Sequence, residues 1–290
     1  VTVSHTSAAP KVANVKDIPK LGNLKVQKAS ANPDVTDNNN CYSFEGAEFT
    51  IYTNSACTKA YKTIKTNKSG VATLANMPLG AYWVKETKAP EHYQLNTTWK
   101  QKVTIKATHT ASAPLTITCK DEPGNDPNPI VMKKIWHGDE TPTIPSLAGT
   151  QFTIKYYDNM DKDTSGKPLK TWVIEVKKVG NNYFAGLSDT YLVKDLSDDL
   201  YKNKSGNVMA PYGTYSIQET KSAPAYTLEG ELKDENGNVV SKTTEPYITV
   251  VDGDNGYPWL QGGNEYTGYN ETVDTSIKIV KYDHKDKPLA

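Results

Sequence analysis

The sequence predicts an all-β chain built from two tandem β-sandwich domains, and three observations carry that prediction. The stretch Pro78 to Pro90 (PLGAYWVKETKAP) returns as Pro211 to Pro224 (PYGTYSIQETKSAP). In each copy Pro and Gly set a turn, a period-2 run follows, and a proline ends it. The composition is rich in β-formers, with 18 tyrosines and a hydrophobic fraction of only 37%, as suits strands with one solvated face. No segment carries the period of a long amphipathic helix.

Strand parity exposes an anomaly inside the repeat. Tyr82, Val84 and Glu86 share one face, as do Tyr215, Ile217 and Glu219. A carboxyl therefore stands where alternation calls for an apolar side chain.

At 290 residues the chain is long enough to bury two cores of ordinary size. Its 33 basic and 33 acidic residues leave a net charge of +0, so no field draws it to nucleic acid or to an anionic membrane. No apolar run reaches membrane-spanning length, and Val1 to Ser4 lacks the basic and apolar start of a signal peptide. The chain reads as a piece of something longer. Three cysteines, Cys41, Cys57 and Cys119, are too few and too odd in number for a disulfide scaffold. The strand expected between Cys41 and Cys57 holds those two apart unless its flanks fold back.

Residues 1–21 read as the tail of a preceding domain plus a linker. The first domain, 22–123, opens with Gly22 to Lys28, where Leu24, Val26 and Lys28 share a face, so Lys28 points inward. An Asn- and Asp-rich loop, 30–40, leads to the strand Gly46 to Tyr52, and Asn67-Lys68-Ser69-Gly70 reads as a hairpin turn. Beyond the Glu86 strand come Val103 to Ile105 and a last strand in which Leu115, Ile117, Cys119 and Asp121 share the inner face. A lysine, a glutamate and an aspartate thus converge on one core from the first, a middle and the last strand.

Residues 124–129 form a Pro- and Gly-containing linker, and the second domain, 130–272, repeats the order. Ile130, Met132 and Lys134 share a face, Gly149 to Ile154 is the next strand, Glu219 closes the repeated motif, and a late strand ends near Asn270. The register of its first strand is looser, because Lys133 adjoins Lys134. This copy is roughly 30 residues longer ahead of its repeated motif, too much for a slack loop. Thr171 to Lys177, Tyr183-Phe184 and Thr190 to Leu196 are expected to form an added hairpin or small subdomain. A third copy starts within 273–290, with Ile277, Ile279 and Lys281 on one face, and breaks off, leaving Lys281 without its own domain.

In this order the residues resemble the Cna B-type and SpaA-type domains of Gram-positive surface adhesins and pilins. Four pieces carry the resemblance: the leading Lys28 and Lys134, the strands Gly46 to Phe49 and Gly149 to Phe152, the segments Glu86 to Pro90 and Glu219 to Pro224, and the closing Asp121 and Asn270. No piece is specific alone, but the ordered set occurs twice. Ser222 is an insertion, His92 and Ala225 stand where the pattern has glycine before tyrosine, and Asp121 stands where Asn is commoner.

The resemblance implies transthyretin-like, reversed immunoglobulin-type sandwiches, each with an intramolecular isopeptide bond. The bonds would join Lys28 to Asp121 and Lys134 to Asn270, with Glu86 and Glu219 assisting. It also implies an extracellular stalk, anchored to the cell wall through its parent chain, monomeric as a piece, with no cofactor or metal and no enzymatic turnover beyond self-modification.

The residue types suit that chemistry. Burial lowers a lysine pKa from about 10.4 by up to about 3–5 units and so favours a neutral, nucleophilic amine. The same burial keeps a glutamate protonated, able to hydrogen-bond the carbonyl under attack and to shuttle protons. Fixed strands supply the effective concentration. The bonds would close loops of roughly 90 and 140 residues, which on chain-entropy grounds stabilises each domain by about 4.5–5 kcal/mol. The alternative for each triad is a buried ion pair with no bond.

Other motifs read more plainly. Asp161 to Gly166 resembles the start of a calcium loop, but Trp172 stands where the closing glutamate belongs, so an Asx-rich turn is the reading. Asp252 to Gly256 reads the same way. The five histidines are scattered without metal-ligand spacing and are expected at the surface. The five tryptophans fit core and rim packing better than a binding platform. Three functional readings remain: a protease-resistant spacer; a domain that binds a host extracellular-matrix protein, immunoglobulin or glycan through the insertions of the second copy; and a secreted hydrolase, against which stands the lack of any catalytic constellation other than the self-modifying triads.

Overall fold

The computed structural model describes residues 17–126, 130–137, 145–234, 236–253 and 265–271. Residues 1–16 of the N-terminal tail, residues 127–129 of the linker and the third copy with Lys281 lie outside the described residues.

The first copy forms seven strands: β1 (Leu21–Ser30), β2 (Glu48–Tyr52), β3 (Ala60–Lys65), β4 (Val71–Pro78), β5 (Gly80–Lys88), β6 (Lys100–Ile105) and β7 (Leu115–Asp121). A three-stranded sheet runs β4-β1-β7, and a four-stranded sheet runs β3-β2-β5-β6. Leu24, Val26, Phe49, Ile51, Val84, Ile105 and Ile117 build the core. The strict alternation of burial along β1 is the period-2 pattern of its sequence.

The second copy adds β8 (Asn125–Asp126), β9 (Val131–His137), β10 (Gln151–Tyr157), β11 (Lys170–Glu175), β12 (Lys177–Val179), β13 (Asn182–Gly186), β14 (Ala210–Pro211), β15 (Gly213–Lys221), β16 (Glu231–Lys233), β17 (Val239–Lys242), β18 (Tyr247–Val251) and β19 (Glu265–Glu271). One sheet, β11-β10-β15-β18, matches β3-β2-β5-β6 strand for strand. The other, β12-β13-β9-β19-β16-β17, contains the counterpart of β4-β1-β7 and widens it at both edges. The all-β sandwich expectation holds.

The source of the extra length differs from the sequence reading at two of its three segments, Thr190 to Leu196 lying in an added run as expected. Thr171 to Glu175 belongs to β11, the counterpart of β3, and Tyr183-Phe184 to β13, the counterpart of β4. The additions are β12, the irregular run after Gly186 with a 3-10 turn at Lys194–Leu196, and the β16–β17 hairpin. Asn125 and Asp126, read as linker, pair with Pro211 and Ala210. The Asn67 to Gly70 turn is present, its Asn67 side chain accepting from the Ser69 and Val71 amides. It hands the chain from one sheet to the other rather than closing a hairpin within one.

The Asx-turn reading of Asp161 to Gly166 is met by the geometry. Asn159 and Asp161 accept from the Asp163 amide, and Asp163 accepts from the Ser165 amide. Hydrogen bonds from the Ser165 hydroxyl and then its amide hold the Asp163 carboxyl below its usual pKa.

The chain divides into two compact units, residues 1–29, 44–89 and 96–119 in one, and 30–43, 90–95 and 120–290 in the other. Segments 30–43 and 90–95, placed in the first domain by sequence order, thus belong to the second unit. There Tyr42 donates to the Gly124 carbonyl at 2.7 Å and accepts from the Tyr212 amide at 2.8 Å. The Asn39 amide donates to Tyr156 Oη, which donates to the Tyr212 carbonyl. His92, expected at the surface, has a left-handed backbone (φ +64), lies edge-on to Tyr42 and Tyr212, and places Nδ1 2.5 Å from the Cys41 carbonyl.

Each repeated motif opens on the same device. Gly80 and Gly213 both adopt φ +149, and Tyr82 and Tyr215 both donate to the carbonyl of the proline four residues back. The two glycines differ in their surroundings. A Cβ on Gly80 meets nothing within 4 Å, whereas one on Gly213 falls 2.5 Å from the Tyr156 ring and 2.7 Å from the Tyr157 carbonyl. Gly80→Ala is expected to cost about 1–2 kcal/mol for backbone strain alone, and Gly213→Ala about 1–3 kcal/mol more for overpacking. Urea unfolding of the two variants checks the order; equal losses would contradict it.

Candidate functional site: two buried amine–carboxyl pairs

Alternation along β1 and β5 carries Lys28 and Glu86 into the first core, and both are 1% exposed. Their charged ends meet at 2.8 Å, Nζ to Oε1. A bulge between Glu48 and Phe49 sets the register so that Phe49 lies opposite Glu86. The second copy repeats this. A bulge between Gln151 and Phe152 puts Phe152 opposite Glu219, and Lys134 Nζ lies 2.5 Å from Glu219 Oε2, both side chains fully buried. Lys134 also lies 5.7 Å from the centre of the Phe152 ring. The looser lysine register of the sequence is resolved in favour of Lys134, since Lys133 is only half-buried.

The last strands complete the comparison. In the first copy Lys28 Nζ reaches Cys119 Sγ at 3.5 Å, and Asp121 stands two residues further along β7, 1% exposed. In the second, β19 runs parallel to β9 with Gly268 opposite Lys134, and Asn270 stands two residues further along β19. The two lysines therefore face last-strand positions with the same offset to Asp121 and Asn270.

Cys119 is the member of this site that parity alone does not assign. It is fully buried, accepts from Lys28, and its thiol faces Glu86 Oε2 at 3.7 Å. Its inward position is legible in the alternation of β7, but the contact with the amine depends on how β7 lies beside β1. The carboxylate and thiol atoms of Glu86, Cys119 and Asp121 lie within 4.8 Å of one another, close enough to share a metal ion. The Lys28 amine already bonds two of the three, so the set suits an amine better than a cation.

Burial pushes the Lys134 amine down to about 8 from the ordinary 10.5, against the opposing pull of the Glu219 charge and hydrogen bond. An amine with that value is neutral in roughly a tenth of molecules at pH 7, far more than an ordinary lysine. Proton transfer across the 2.5 Å contact would convert the ion pair into a neutral amine and a carboxylic acid with no net change in protons.

Lower Lys134 basicity in the fold has a signed consequence. Between about 8 and 10.5 the folded state binds fewer protons than the unfolded chain, so the stability of a chain whose Lys134 remains an amine rises with pH across that window. The check is urea unfolding of Asn270→Ala at several pH values against the same chain carrying Lys134→Met. The difference isolates the lysine from the buried tyrosines, whose raised pKa values act in the opposite sense at higher pH. A flat difference would contradict the assignment.

Residues 31–119 match the family model described as SpaA, a prealbumin-like fold domain. The resemblance to SpaA-type domains is thereby borne out over that segment. No curated protein sequence matches the chain. Among solved structures, the Bacillus anthracis TIE protein aligns at 18% identity and TM-score 0.48, covering 93% of this chain and 41% of that one. A streptococcal ancillary pilin aligns at 16% identity and TM-score 0.30, over 90% of this chain and 65% of that one. A C-terminal fragment of the pilus adhesin SpaC from Lactobacillus rhamnosus GG aligns at 17% identity and TM-score 0.43, over 88% and 100%. This chain spans less than two thirds of the length of the first two. Among the described residues, no helix is long and apolar enough to cross a membrane.

Proposed function

We propose that the chain is a load-bearing spacer of a Gram-positive cell-surface protein, exported and held at the cell wall through its parent chain, whose two sandwiches are each stapled by an autocatalytic isopeptide bond. The observation that carries this reading is the duplicated, fully buried Lys–Glu pair, with Asp121 and Asn270 at matching offsets from the lysines. An ordinary structural ion pair gives no reason for two copies to keep the same bulge, the same opposing phenylalanine and the same last-strand position. The SpaA match over 31–119 supports the setting.

The chemistry follows from the geometry. The neutral lysine amine attacks the side-chain carbonyl carbon of Asp121 or Asn270. The protonated glutamate donates to the carbonyl oxygen, takes a proton from the attacking nitrogen and returns one to the leaving group. The C–N bond forms as water leaves Asp121 or ammonia leaves Asn270. Each domain is a single-turnover catalyst on itself.

Intact mass of the purified, reduced chain tests this. The expected mass is the sequence mass less one water and one ammonia, with Glu86→Ala regaining the water and Glu219→Ala the ammonia. A wild-type mass equal to that of the sequence reduces both sites to ion pairs.

A second reading rests on the run after Gly186, where a cleft of about 400 Å³ is lined by Asp189, Lys194, Ser197, Asp198 and Lys202. Here the added segment binds a host protein or glycan. Screening the full chain against extracellular-matrix proteins, immunoglobulins and glycans separates the readings: binding abolished by Asp198→Ala with Lys194→Ala favours the adhesin, and silence favours the spacer.

A further inference from the structure

Besides holding Asp121 where the second has Asn270, the first site differs from the second in one group. Where Lys134 faces Gly268, Lys28 faces a thiol, with Nζ 3.5 Å from Cys119 Sγ and Glu86 Oε2 3.7 Å from the same sulfur. Lysine, cysteine and glutamate are all buried, and Cys119 is in no disulfide. This sulfur is not in the apolar surroundings that make most core cysteines inert, since an amine and a carboxyl hydrogen-bond it.

We propose that Cys119 makes the first site oxidisable, and that hydrogen peroxide or a related hydroperoxide converts the Lys28–Cys119 contact into a covalent sulfur–nitrogen link. Two steps balance. The Cys119 sulfur displaces water from peroxide, losing its proton and becoming a sulfenic acid. The neutral Lys28 amine then attacks that sulfur, the S–N bond forms, the S–O bond breaks, and the hydroxyl leaves as water with a proton from the nitrogen. Thiol, amine and one peroxide give the link and two waters, the sulfur being oxidised and the peroxide reduced. Condensation of a sulfenic acid with a nearby nitrogen is an established branch of cysteine oxidation, reversed by thiols. Glu86 faces both reacting atoms and is placed to carry the proton from nitrogen to the departing oxygen.

The link and the isopeptide bond draw on the same nitrogen. A Lys28 joined to Asp121 cannot join Cys119, and one held by sulfur cannot attack Asp121. That competition rests on the isopeptide reading; the link itself does not. The second site, with glycine opposite its lysine, has no such alternative.

The test uses the full chain carrying Asp121→Ala, in which Lys28 stays an amine whether or not the native site forms an isopeptide bond. Treatment with hydrogen peroxide, quenching and digestion without reductant should yield a cross-linked peptide pair containing Lys28 and Cys119, split by dithiothreitol and missing when Cys119→Ser is added. Recovery of Cys119 as free thiol, or as sulfinic acid with Lys28 uncoupled, overturns the proposal. Should Asp121→Ala fail to fold by its unfolding curve, Asp121→Leu, near-isosteric and without a carbonyl for the amine to attack, keeps Glu86 in place, and the same two outcomes apply. In the wild type, an intact mass already lighter by one water with no link on peroxide treatment supports the competition, whereas the link forming on such a chain would overturn it.

Discussion

An amine and a carboxyl held together inside an apolar core govern how the rest of each sandwich is built. Removing either partner alone from such a pair costs about 3–5 kcal/mol, because the survivor keeps its desolvation penalty. Both partners must therefore arrive together. The lysine comes from the first strand of one sheet and the glutamate from a middle strand of the other, so neither sheet can slip by one residue without exposing one of them. The bulges before Phe49 and Phe152 fit this demand: they rotate the neighbouring strand so that an aromatic ring, rather than a polar group, faces the glutamate.

The two copies hold this arrangement while the sheet that carries the lysine is enlarged. The three-stranded sheet of the first becomes six-stranded in the second, yet the order of the strands flanking the lysine is kept. The proline–glycine–tyrosine opening is kept too, with its phenol closing back on the proline carbonyl. Among the described residues, growth lies at sheet edges and in the connection after Gly186, where an added strand or loop leaves the pair undisturbed.

Much of this was legible in the chain. Parity alone placed Lys28, Glu86 and Asp121 inward, because each ends an alternating run whose other members are apolar. It could not separate Lys133 from Lys134 as well, since adjacent lysines satisfy both registers. The strand β3 is not legible in the sequence, because Ala60 to Lys65 is mostly exposed and lacks apolar alternation. Its counterpart β11 reads as an insertion for the same reason, since the first copy offers no visible strand to match it. Cys119 and His92 show a different limit. The sequence gives a side chain's facing within its own strand or turn, whereas their roles come from groups brought in by distant segments: an amine 91 positions away for the thiol, and two tyrosine rings for the imidazole.

The allocation of segments between the two compact units bears on how such a protein can change over generations. The backbone passes from one unit to the other after residues 29, 43, 89, 95 and 119. Tandem sandwiches are usually pictured as beads, each excisable at its linker, so that recombination lengthens or shortens the string. Here a crossover in the 124–129 stretch would carry away Asn39, Tyr42 and His92 with the wrong bead and leave the Tyr156 and Tyr212 partners behind without them. The heritable module in this stretch is the pair, and a copy number that changes by one is the rearrangement its buried tyrosines resist.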